Sequence, residues 1–83
     1  MNEFEVAMKN LEELNRSELC QKHLVAFKYI MENGYYIFQL EEKKGDSYNI
    51  HQLGIYPGVK AFNKAILSVS SVLQVLNERG CFI

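Results

Sequence analysis

Eighty-three residues are enough for one domain and too few for two, and 48% hydrophobic residues with five Phe and five Tyr exclude a disordered chain. Nine Lys and Arg against ten Asp and Glu give a formal net charge of -1, which supplies no long-range field for phosphates and makes nucleic acid an unlooked-for partner. Apolar runs such as Leu24 to Phe27 fall far short of the roughly 20 residues that cross a bilayer, so no membrane insertion is expected.

The first residues, Met1 to Glu5, are acidic and amphipathic, unlike the basic lead of a secretory signal. A cytoplasmic location is therefore expected, with Cys20 and Cys81 reduced. Phe4, Ala7, Met8, Leu11 and Leu14 repeat at three- and four-residue steps and predict a helix over 3–15, with Asn2 and Glu5 at the spacing of a capping box. A second helix is predicted over 17–32, capped by Asn15 or Ser17. Its apolar positions Leu19, Cys20, Leu24, Ala26, Phe27, Ile30 and Met31 are too widely spread for a surface helix. Asn33-Gly34 tolerates positive φ and is read as its stop.

From Tyr35 the composition turns aromatic and β-branched, which predicts a hairpin over 35–53 turning at Lys43 to Asp46. Strand alternation sets Tyr36, Phe38 and Leu40 on one face, read as core, and Tyr35, Ile37 and Gln39 on the other. Beyond Pro57 a helix is predicted over 58–79, with Val59, Phe62, Ile66, Val69, Leu73 and Leu76 forming a three-four seam. Gly80 ends it, and Cys81-Phe82-Ile83 is expected to fold back. The predicted fold is α+β, one domain in the order α-α-β-β-α, with a two-stranded hairpin against three helices.

The two Cys and two His make up a conceivable Cys20, His23, His51 and Cys81 zinc set, but His51 and Cys81 stand alone where such sites present two close pairs. Cys20 and His23 lie one helical turn apart, yet lack the orienting group and oxyanion-binding loop of a thiol catalyst. Glu12-Glu13 and Glu41-Glu42 are neighbours in sequence, not an acid and base held apart, and the five glycines fall singly, without a phosphate-binding pattern. No catalytic residue, cofactor or metal is assigned, and no enzymatic activity is expected. Lys43 and Lys44 with Tyr48 and His51, extended by Lys60 and Lys64, suggest a basic hairpin tip for nucleic acid, although Glu41, Glu42 and Asp46 flank the same turn.

The strongest signal is the tyrosine cluster. Tyrosine suits protein interfaces because it buries a large ring while its hydroxyl stays hydrogen-bonded. Helices can cover only one face of the hairpin, which leaves Tyr35 and Ile37, with Tyr48 and Tyr56 as neighbours, for a partner protein. The seam Phe62, Ile66, Val69, Leu73 and Leu76 offers a second surface, for a homodimer. The sequence thus predicts a small regulator that binds another protein, an inhibitor or adaptor of the type found in phages and mobile elements. A nucleic-acid-binding regulator and a Cys/His metal or thiol site are the alternatives.

Overall fold

The computed structural model describes residues 1–78, Leu76 and Asn77 by backbone alone. Helix α1 (Glu3–Asn15) starts as its sequence predicts: Asn2 Oδ1 accepts the Glu5 N–H at 2.8 Å, and Asn2 Nδ2 donates to the Glu5 carboxylate at 3.1 Å. Helix α2 (Glu18–His23) takes Ser17 as its cap. Asn15 is engaged elsewhere.

The predicted second helix is corrected by the structure. It lasts six residues, ends at Leu24 in the left-handed conformation (φ 54°), and gives way to strand β1 (Val25–Glu32). Val25, Phe27, Tyr29 and Met31 alternate in the strand period, and this β-branched and aromatic stretch can bury Phe27 and Tyr29 on a sheet. Asn33 and Gly34, at φ 52° and 81°, are the two turn residues between the paired Glu32 and Tyr35. Positive φ at both positions is what a two-residue hairpin turn of type I′ requires. The sheet accordingly has three strands, not two, and the order is α-α-β-β-β-α.

Leu24 is a branched residue in a region that costs an L side chain about 1–2 kcal/mol. Leu24→Gly relieves that cost and adds about 0.5–1 kcal/mol of unfolded-chain entropy. A net gain of up to about 1 kcal/mol is expected in urea denaturation.

Strands β2 (Tyr35–Lys44) and β3 (Ser47–Tyr56) complete an antiparallel meander in the order β1-β2-β3. The β2–β3 register slips between Phe38 and Gln39. Phe38 faces Gly54 and Gln39 faces Gln52, so Leu53 is the extra residue of a bulge. Helix α3 (Val59–Glu78) returns across the sheet and packs beside α1, where Asn10 Nδ2 donates to Asn63 Oδ1 at 2.8 Å. Arg79, Gly80 and the predicted fold-back of Cys81-Phe82-Ile83 lie outside the described residues.

Both long helices cover one face of the sheet, and the core lies between the layers. Ala7, Leu11 and Leu14 from α1 and Cys20 from α2 meet Phe27, Tyr36 and Phe38 from the sheet and Phe62 and Ile66 from α3. Phe62 is central. Its ring stacks on Tyr36 with centroids 4.9 Å apart, meets Phe38 edge-on at 5.4 Å, and touches Tyr29 at 5.3 Å. Among the described residues no helix is long and apolar enough to cross a membrane.

Candidate functional site

Among the described residues no helix lies on the other face of the sheet, and the composition of that face follows from the register. Ile30 pairs with Ile37, and Ile37 with Ile55, so three isoleucines form a row across all three strands. The outer two are about half exposed, Ile30 at 48% and Ile55 at 53%, while Ile37 between them is half-buried. Tyr35, 46% exposed, lies two residues before Ile37 on the same face and extends the apolar row along β2.

A polar belt of Lys28, Gln39 and Gln52 crosses the sheet next, with Lys28 paired to the Glu41 carboxylate. Beyond it Ala26, Glu41 and Ile50 are in register, followed by Lys43 opposite Tyr48. Ile50 and Tyr48 are both exposed. The uncovered face therefore holds two apolar patches divided by a charged and amide-bearing belt.

The structure places three of the four candidate contact residues for a partner protein on this face: Tyr35, Ile37 and Tyr48. Tyr56 is on the opposite side, paired with the buried Tyr36. The bulge at Leu53 explains the split. Strand alternation alone would put Tyr56 and Tyr48 on one face, and the extra residue reverses that relation. Gly54 has a matching role, because a Cβ there would lie 2.6 Å from the Tyr56 hydroxyl; its absence lets the phenol fold back over the strand. Tyr36, Phe38 and Leu40 face the helices as the alternation predicts.

Sequence reasoning missed Ile30, Ile50 and Ile55 on the open face. The sequence pattern predicts a helix at Ile30, and only the sheet register aligns it with Ile55. The α3 seam is occupied within the chain: Phe62 and Ile66 are fully buried, and Val59, Val69 and Leu73 pack against the same core. The side chain of Leu76 is outside the described residues. Among the described side chains of α3, Leu67, Val72 and Val75 are exposed and apolar.

Cys20 and His23 of the chemical alternatives line one pocket with Glu42. Cys20 is buried, its thiol donating to the Leu14 carbonyl at 3.3 Å, whereas His23 is exposed at the end of α2. His51 Nε2 stands 3.7 Å from the Glu42 carboxylate, and Cys81 is outside the described residues. Among the described residues no three of His, Cys, Asp and Glu converge as metal ligands. Lys44 lies 3.6 Å from Glu42, so carboxylates offset the basic tip. Lys60 and Lys64 follow the far end of β3, a ten-residue strand spanning about 33 Å, and do not join Lys43 and Lys44. Comparison of the chain with known protein families, with curated proteins and with solved structures finds no match.

Proposed function

We propose that this chain is a non-enzymatic cytoplasmic regulator that binds another protein through the uncovered face of its sheet. It would act by occupying a surface of its partner, as small inhibitors and adaptors of phages and mobile elements do. The observation supporting this reading is the isoleucine row Ile30, Ile37 and Ile55 continued by Tyr35. Apolar side chains left in water on a continuous patch gain about 25 cal/mol per Å² when a partner covers them, and the Lys28–Glu41 belt beside them supplies the polar rim typical of such contacts.

Affinity capture from host extract with the native chain, Tyr35→Ala and Ile55→Ser tests the proposal. Both substituted residues are about half exposed, so each variant should melt within about 1 kcal/mol of the parent. Partner affinity should drop by at least about tenfold, the loss of a contact worth about 1.4 kcal/mol. Undiminished capture by both variants would place the binding surface elsewhere, and recovery of nucleic acid in place of a protein would favour the basic tip.

A further inference from the structure

The two edges of the sheet are treated differently. On β1 the outward N–H and C=O of Phe27 are both taken by one side chain: Asn15 Oδ1 accepts the Phe27 N–H at 2.7 Å, and Asn15 Nδ2 donates to the Phe27 carbonyl at 2.9 Å. A neighbouring strand would make the same pair of bonds. Lys28 and Glu32 add charge to that edge, and charged edges discourage further pairing. β3 has none of these devices. Ser47–Tyr56 contains no Lys, Arg, Asp, Glu or Pro. Every residue from Ser47 to Leu53 is exposed, and among the described residues no backbone hydrogen bond from outside the sheet reaches this strand.

We propose that β3 pairs antiparallel with β3 of a second copy of this chain, giving a dimer with one continuous six-stranded sheet. A long, uncharged and unblocked edge is a template for another strand. The occupant it suits best is itself, because antiparallel self-pairing places no like charges opposite one another and closes by two-fold symmetry. The bulge at Leu53 limits the new ladder to Ser47–Gln52. With the two-fold axis perpendicular to the sheet, both helical layers lie on one side and both isoleucine rows on the other. The proposal is independent of which protein the open face binds, since it concerns the strand's backbone edge.

Sedimentation velocity over a concentration series, with amide exchange at each concentration, tests it. A monomer–dimer equilibrium is expected, with exchange in Ser47–Gln52 slowing as dimer forms and β1 unaffected. Ile50→Lys substitutes an exposed residue; a melt like the parent's verifies its fold, and it should shift the dimer midpoint at least about tenfold higher in concentration, because the charge stands directly opposite or diagonal to that of the other copy whether the two-fold axis passes Ile50 or Asn49. Val72→Lys, on the exposed side of α3, should leave the midpoint unchanged. A chain that stays monomeric throughout overturns the proposal. So does a dimer protected on β1 or α3, or one broken by Val72→Lys. Protection of β3 that appears only when a foreign protein is added would assign the edge to that protein's strand and also overturn self-pairing.

Discussion

Phe62→Ala is expected to lower the free energy of unfolding by about 3–5 kcal/mol, the cost of removing a large ring from a packed core. Phe62 has no exposed surface, and its ring contacts Tyr29, Tyr36 and Phe38 together, so helix and sheet meet on this side chain. Three rings cannot close around the resulting void without leaving their own packed positions. Small domains have total stabilities of roughly 5–15 kcal/mol, and this chain is near the short end of the domain range, so the variant should be partly unfolded at moderate temperature. Phe38→Ala, equally buried, should behave alike, whereas Tyr35→Ala on the open face should not. Urea denaturation of the three variants checks the layering: an unfolded Tyr35→Ala beside an intact Phe38→Ala would mean that the helices cover the other face.

Asn15→Ala is expected to cost about 2–3 kcal/mol, although Asn15 is at a helix end and only half-buried. Its amide serves both backbone groups of Phe27, so truncation leaves a donor and an acceptor unpaired beside a buried ring, and an unpaired group costs about 1–3 kcal/mol. The bonds also tie the end of α1 to the edge strand across twelve residues of chain. Denaturation should show the loss, and amide exchange should localise it as faster exchange at Phe27 with little change in β3. A loss below about 0.5 kcal/mol, the range of an ordinary surface substitution, would show that water replaces the amide without penalty.

The residues differ in how much they disclose before folding. The helix over 3–15, its Asn2 cap, the two strands following Gly34, the inward set Tyr36, Phe38 and Leu40, and the α3 seam from Val59 to Leu73 are all legible, because each rests on local chemistry or on a periodicity sustained over several turns. Val25 to Glu32 was not. Its spacing satisfies a helical and a strand period together, and Asn33-Gly34 serves as a helix stop or as a hairpin turn. Pairing with β2 decides the matter: eight strand residues in register, with Phe27 buried, outweigh continuing the helix from Leu24 to Glu32, and Leu24 accepts its left-handed conformation as a consequence.

The open face was legible in part. Alternation along one strand identifies Tyr35 and Ile37 as face-mates, but which residues of other strands join them depends on register and on the Leu53 bulge, properties of pairs of strands. One unpaired residue sends Tyr56 inward and leaves Tyr48 outward, and the same register aligns Ile30, Ile37 and Ile55. The sequence by itself determined the class of fold, the identity of most core residues, both ends of the first helix and the start of the last, because burial and capping act on residues within a few positions of one another. Tertiary structure alone decided the third strand, the composition of the uncovered face and the contrast between a guarded and a bare sheet edge, because these depend on hydrogen bonds between segments that the chain brings together only when it folds.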